Sequence, residues 1–337
     1  MTEFDFAKQA QDYYSKAPVI VLGSGASVAF GIPGMGELAE YIKDNVDVSA
    51  IPRSETGSWS EFCGLLDTGI GLEAALHQVN FSDVATCLII QSAWELINSR
   101  DENVYRSSIS DRTLFPLGTM LSHMFKTSLV ELNIVTTNYD CLAEYACDQE
   151  ELHHYSGFSH GYTQRLAEPN FINCSRKVNI WKVHGSLDWF YCPDNETVSI
   201  PKSQFRPDNY QPQIVTPGVQ KYQKTHLEPY RSIIGNADNA ISAANSYLCF
   251  GFGFNDEHIQ PKLLAKCKRD GAGIVIVTHT LTAQAKAIIS DGNIRNYLAI
   301  ERAQDDGHSR IYSSQAEEPF VVDGEYWSLN GFLQLIL

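Results

Sequence analysis

Val19-Ile20-Val21-Leu22-Gly23-Ser24-Gly25-Ala26-Ser27, running on to Gly31-Ile32-Pro33, is the stretch on which the fold turns. Four consecutive apolar, mostly β-branched residues make a run too short for a helix and suited to a strand buried on both faces. The Gly-x-Gly that follows permits a tight turn. Such a turn either brings backbone amides close to a pyrophosphate or simply reverses the chain with no ligand. The dehydrogenase fingerprint is incomplete, because Val28 stands where its third glycine belongs. No acidic residue closes a second strand some 20 residues on, so a hydride-transfer dehydrogenase is disfavoured.

Four further apolar runs resemble the first: Asn133–Thr136, Val178–Val183, Tyr247–Phe250 and Ile274–Val277. Helical patterns follow several of them, at Asp140–Gln149, His258–Lys268 and Thr282–Ser290. Strands alternating with helices predict an α/β fold, a doubly wound, Rossmann-like parallel sheet with helices on both faces. The spacing then departs from the simple pattern. About 110 residues separate Leu22 from the second strand, whereas a βαβ unit takes roughly 30. A large helical insertion after the first strand is therefore expected, with helices at Gly36–Val46, Gly71–Val79, Ser82–Ser99 and Pro116–Leu129. Ser82-Asp83 is a plausible helix start. Tyr191–Ala237 shows no clear period and holds six of the thirteen prolines, which reads as loop. The expected division is a single domain over 1–337. Its core is drawn from 15–34, 126–190 and 238–305, with the helical insertion at 35–125 and the loop-rich insertion at 191–237.

Composition narrows the function classes. Hydrophobic residues make up 44% and charged residues 19% of 337, as in an ordinary globular chain able to bury a core. The net charge of −15 repels phosphate backbones, so no direct nucleic acid binding is expected. No apolar stretch is long enough for a membrane span, and the first residues lack a signal-peptide pattern, which predicts a cytoplasmic protein with no membrane partner. The eight cysteines contain no Cys-x-x-Cys pair, which argues against a zinc ribbon or a disulfide framework.

Three more places at strand ends carry candidate chemistry. Thr136-Thr137-Asn138-Tyr139-Asp140 follows the second strand, where Asn138 or Asp140 could face a ligand crevice or merely cap the next helix. Val183-His184-Gly185-Ser186 follows the third, and its histidine is either a general base or a structural residue. Gly251-Phe252-Gly253-Phe254-Asn255-Asp256-Glu257-His258 is a second glycine turn, in which Asp256 could cap a helix or face a ribose.

Taken in order, these four sites resemble the sirtuin-like NAD-binding family, and most closely its divergent bacterial branch associated with phage defence. Gly23, Ser24, Gly25, Ala26 and Ser27 with Gly31-Ile32-Pro33 are similar to the family's Gly-Ala-Gly-x-Ser followed by Gly-Ile-Pro. The second site resembles Thr-Gln-Asn-x-Asp with Thr137 in place of glutamine, the third the family's catalytic His-Gly, and the last its final nucleotide turn. The resemblance covers roughly residues 17–300, apart from most of the helical insertion.

By position, the resemblance implies that Asn138 holds the nicotinamide ribose or an attacking water and that His184 acts on the ribose hydroxyls or that water. Asp140 would contact the carboxamide, and residues 23–27 would cradle the phosphates. Gly251, Gly253, Asn255 and Asp256 would meet the adenosine side, and Ile32, Pro33, Thr137 and Phe252 are further NAD-binding residues. Two departures bear on the reaction. Only Cys192 stands where protein-deacylating sirtuins carry paired zinc cysteines, so no zinc and no cofactor beyond NAD as substrate is expected. Gly34-Met35 replaces the Phe-Arg that usually follows Gly-Ile-Pro. The implied activity is an NAD hydrolase that yields ADP-ribose and nicotinamide, an anti-phage effector depleting NAD when triggered. The alternatives are an NAD-dependent deacylase or ADP-ribosyltransferase, and a non-catalytic NAD or ADP-ribose sensor. About 37 residues follow residue 300, too few for a separate sensory domain. The expected trigger is therefore self-assembly as a homo-oligomer or an activating partner, of ATPase/helicase type or a phage component. The apolar end, Gly331–Leu337, is expected to dock on the core or on a neighbouring subunit.

Overall fold

The computed structural model describes residues 5–171, 174–201, 208–215 and 227–337. Parts of the expected loop-rich insertion, 202–207 and 216–226, lie outside the described residues.

The five runs read from the sequence are strands β1 (Val19–Leu22), β2 (Glu131–Thr136), β5 (Lys177–Lys182), β9 (Ser246–Phe250) and β10 (Gly273–Thr278). With β3 (His154–Tyr155), β11 (Tyr297–Arg302), β12 (His308–Ser313) and β13 (Phe320–Asp323) they form a sheet ordered β13-β12-β11-β10-β9-β1-β2-β5-β3. Every pairing from β11 across to β3 is parallel, and β12 and β13 add an antiparallel edge. The α/β class, with its Rossmann-like parallel sheet, is as the sequence pattern requires.

Period-two alternation along the strands assigns each residue to one of two cores. On one face, Ile20, Leu22, Ile134, Ile180, Leu248, Phe250, Val275 and Val277 pack in a single cluster. On the other, Val19, Val21, Val135, Trp181, Tyr247, Cys249, Ile274 and Ile276 form a second cluster. Burying each such aliphatic side chain contributes about 1.5–3 kcal/mol relative to leaving it exposed. This is why β1, β9 and β10 read as unbroken apolar runs.

The helices distribute unequally over those faces. Between β1 and β2 lie α2 (Gly25–Val28), α3 (Met35–Asn45), α4 (Thr56–Asp67), α5 (Leu72–Gln78), α6 (Asp83–Ser110) and α7 (Pro116–Met124). Leu38, Phe62, Leu76, Trp94 and Met120 of this group all join the first core. The opposite face is covered by α9 (Tyr230–Ala243), α10 (Gln260–Asp270) and α11 (Ala283–Ser290), through Ile233, Leu263 and Ile288. α1 (Phe6–Tyr14), α8 (Leu142–Gln149) and α12 (Leu329–Ile336) pack on the first face as well. α12 seats the apolar C-terminal residues, with Phe332 meeting Phe250 edge-on at 5.6 Å. Among the described residues, no helix is long and apolar enough to cross a membrane.

The helix ends are set by local chemistry. Ser82 caps α6 by accepting from the Ala85 amide, with Asp83 in the first turn. α6 continues eleven residues past Ser99, where the sequence reading stopped at a polar run. The structure shows why: Asp101 and Val104 in that run point inward and are buried, while Arg106 pairs with Glu102 one turn away. α7 stops earlier than expected, at Met124. Within 191–237 the described residues are not all loop. β6 (Gly185–Tyr191), β7 (Thr197–Ser199) and β8 (Gln211–Ile214) pair with β4 (Gln164–Arg165) as a small antiparallel sheet, and α9 begins at Tyr230.

Candidate functional site

Both glycine turns lie at the carboxyl ends of neighbouring strands, and they are packed against each other. The Gly23 amide donates to Phe250 O at 3.0 Å, and the Gly25 amide to Gly251 O at 3.1 Å. A Cβ on Gly251 would lie 2.1 Å from the Ala26 nitrogen, and its φ of +56° is in the left-handed region. The glycine there serves backbone contact first. Of the residues assigned to phosphates, Gly25, Ala26 and Ser27 already donate their amides to backbone carbonyls, as does Gly23. Ser24 and Ser27 bring their side to the cleft instead, while Gly25, Ala26 and Gly251 stand behind it.

The turn after β2 is threaded into the first glycine turn. Thr136 Oγ1 donates to Leu22 O at 3.0 Å and accepts from the Asn138 amide at 3.0 Å. Asn138 Nδ2 donates to Gly23 O at 2.9 Å and to Ser27 Oγ at 3.0 Å. A carbonyl can only accept, so this network fixes which end of the amide is the NH2 group. Both Nδ2 protons are committed, and Oδ1 is the acceptor that Asn138 brings to the cleft.

Asp140 is 7% exposed and accepts from the Leu142 amide. It therefore meets the first amide of α8 from the residue before the N-cap, Cys141, and lines the cleft as well. Burial pushes its carboxyl up from 3.8 to about 6, against the pull of Lys182 and with added repulsion from Asp101. The folded state thus keeps a proton that the unfolded chain loses between about pH 4 and 6, and stability falls as pH rises through that window. Asp140→Asn removes the ionisation. The variant is expected to exceed wild-type stability by about 3 kcal/mol above pH 7, with the gap closing below pH 4. Denaturant unfolding at several pH values measures this. A gap independent of pH would mean that Asp140 is not a buried acid.

His184 follows β5, and its carbonyl accepts from the Val215 amide at 2.8 Å. Its Nε2 lies 2.9 Å from Asp256 Oδ2. The other carboxylate oxygen of Asp256 accepts from the His258 and Ile259 amides at 3.0 and 2.9 Å. Asp256 therefore caps the segment leading into α10 and also faces the histidine ring, where it would neutralise a protonated imidazole. Neither of its two sequence-level roles anticipated the second job. Thr282, the cap of α11, donates to Gly253 O at 2.7 Å and ties the second glycine turn to that helix.

These segments enclose one cleft of about 210 Å³. Gly23, Ser24, Ser27, Ile32, Pro33, Thr137, Asn138, Asp140, His184, Phe252, Gly253, Asn255 and Asp256 all line it. The structure adds Met35, Leu38, Glu73, Ile97, Tyr139 and Val215. Four of these come from the helices between β1 and β2, whose return to the strand ends leaves no motif. Tyr139 donates its hydroxyl to Val215 O at 2.7 Å, and burial raises its pKa well above that of a free phenol.

The model of one family, the SIR2-like domain, matches residues 132–306, which is more than half of the sequence. The chain belongs to the SIR2-like family. The match begins inside β2 and takes in the Asn138 turn, His184 and the second glycine turn. Among solved structures, this SIR2-like chain is similar to one described under the mechanism and regulation of Sir2 enzymes. The two are 16% identical, with 86% of this chain and 90% of that chain covered and a TM-score of 0.43. It is also similar to a Sir2 homologue in complex with NAD, at 14% identity, 88% coverage of each chain and a TM-score of 0.46. A Sir2 homologue variant in complex with ADP-ribose is 14% identical, with 84% of this chain and 88% of that chain covered and a TM-score of 0.47. No curated protein matches the sequence.

Proposed function

We propose that this SIR2-like chain binds NAD in the cleft and hydrolyses it to ADP-ribose and nicotinamide. The observation that carries the reading is the arrangement of two groups on one cleft: Asn138, with Oδ1 as its remaining acceptor, and His184, with Asp256 beside its ring. The C1′–N1 bond breaks with its electron pair going to the nicotinamide nitrogen, which leaves neutral. Positive charge then develops on the ribose carbon and ring oxygen. Water attacks C1′ and gives up a proton, and Asn138 Oδ1 is suited to orient that water while His184 accepts the proton. Asp256, facing the imidazole, stabilises the charge His184 acquires. Asp140, with its pKa near 6, can donate to the nicotinamide carboxamide when protonated and accept from its NH2 group when ionised. Ser24 and Ser27 are suited to the phosphates, and Phe252, Gly253 and Asn255 to the adenosine side.

Glu73 and Asp256 add negative charge beside Tyr139 within the cleft, which favours a cationic substrate and a cationic transition state. Met35 lines the cleft in the segment where deacylating sirtuins carry Phe-Arg, and this supports water rather than an acylated lysine as acceptor. We assign the chain to an NAD-depleting defence role in the cytoplasm, without zinc, acting as a homo-oligomer or with an activating partner. The domain division at 35–125 and 191–237 belongs to the same reading. Turnover in the presence and absence of an acetylated peptide tests the reaction class. ADP-ribose formed without peptide is the expected product. Acetyl-ADP-ribose formed only with peptide would establish a deacylase, and NAD bound but unchanged would establish a sensor.

A further inference from the structure

Behind the cleft, two buried charges of opposite sign reach the catalytic turn from different elements. Lys182, the last residue of β5, is 0% exposed. Its Nζ donates to the Asp140 carbonyl at 2.5 Å and to Glu144 Oε1 at 3.2 Å. Asp101, from the inward face of α6, is 1% exposed. Its Oδ1 accepts from the Cys141 amide at 2.8 Å, and its Oδ2 from the Tyr145 hydroxyl at 2.6 Å. The carbonyl and the amide they hold belong to the same peptide group, the one joining Asp140 to Cys141.

We propose that Lys182 and Asp101 are positioning residues that clamp the Asp140–Cys141 peptide group and so fix the aim of Asn138 and Asp140. Burying an isolated ion costs several kcal/mol, and a turn that needed only a cap could use a hydroxyl or water. Two charges on one peptide group restrict both its translation and its rotation. Catalysis has that need, because displacing a reacting group by about 1 Å can cost 10²-fold in rate. The clamp also attaches the turn to the helical insertion. In the same helix as Asp101, Trp94 Nε1 donates to Leu187 O at 2.8 Å, three residues beyond His184. One helix of the insertion thus holds both catalytic segments.

The clamp is observed in the turn itself, and only its effect on turnover rests on the NAD-hydrolysis reading, so the test has two arms. The variants are Asp101→Asn and the pair Lys182→Met with Glu144→Gln, the pair removing the Glu144 charge together with the ammonium bonded to it. Hydrogen exchange on the NAD-free protein reads the amides of Asn138, Cys141 and Leu142, each of which donates to a side-chain oxygen within or beside the turn. In both variants these amides are expected to exchange about tenfold faster or more, while the amides of β9 and β10 keep their protection. Unchanged exchange at the turn overturns the clamp, whatever the protein does to NAD. In the second arm, kcat for NAD is expected to fall about 30–100-fold with KM changing less than about threefold. Normal kcat in folded variants of an NAD-cleaving protein would overturn the catalytic link. A wild type that leaves NAD intact would defeat the hydrolase reading, and the exchange arm would still decide the clamp.

Discussion

His184→Ala is expected to slow NAD cleavage by about 10²–10⁴-fold with little change in KM, since the imidazole is needed when a proton moves and not to hold the nucleotide. Its Nε2 faces Asp256, and it lines the same cleft as Asn138. Asn138→Ala should cost about 10²–10³-fold by the same assay, because the oriented acceptor is lost from a pre-formed site. Asn138→Asp separates orientation from polarity: it keeps the shape but cannot donate to the Gly23 carbonyl, so it should fail as well. Steady-state kinetics with NAD check these expectations. Near-normal kcat in either alanine variant would remove that residue from the mechanism.

The second large effect is on folding. Gly251→Ala is expected to destabilise the chain by about 4 kcal/mol, combining left-handed backbone strain with overpacking. The new Cβ would meet backbone atoms of Gly25 and Ala26 at 2.1–2.6 Å, and backbone of two crossed turns cannot rotate away as a side chain would. Gly34→Ala is the control, because a Cβ there has nothing within 4 Å, and it should change stability by no more than about 0.5 kcal/mol. Denaturant unfolding of the two variants compares them directly. Equal stability would show that the turns do not need their close approach.

The parts of the fold that were legible in the sequence are those whose burial is complete. β1, β9 and β10 have both faces covered, so their residues cannot alternate with polar ones and they appear as apolar runs. β12 alternates between half-buried and buried positions, and its polar half hid it. β6 carries Trp189 and Phe190 in the core, yet its partners β7 and β8 are short and lie among prolines. The candidate site divides in the same way. Asn138, Asp140, His184 and Asp256 stand directly after strands, where chain order alone leads to the crevice. Glu73 and Asp101 come from helices whose sequence shows only an amphipathic period. Lys182 was a polar residue at the end of an apolar run, with nothing in the chain order to say that Glu144 and the Asp140 carbonyl meet it. Such pairings are set by tertiary return, which local pattern does not contain.

Bond cleavage at the nicotinamide ribose, with water as acceptor, is the reaction proposed for the cleft. The most direct measurement is chromatographic analysis of NAD incubated with the purified protein alone and with Asn138→Ala, each also with its candidate partners. Nicotinamide and ADP-ribose rising together in equal amounts from wild type, and neither rising from the variant, is the expected result. NAD that remains intact under every condition, or nicotinamide release that proceeds equally in Asn138→Ala, would contradict it.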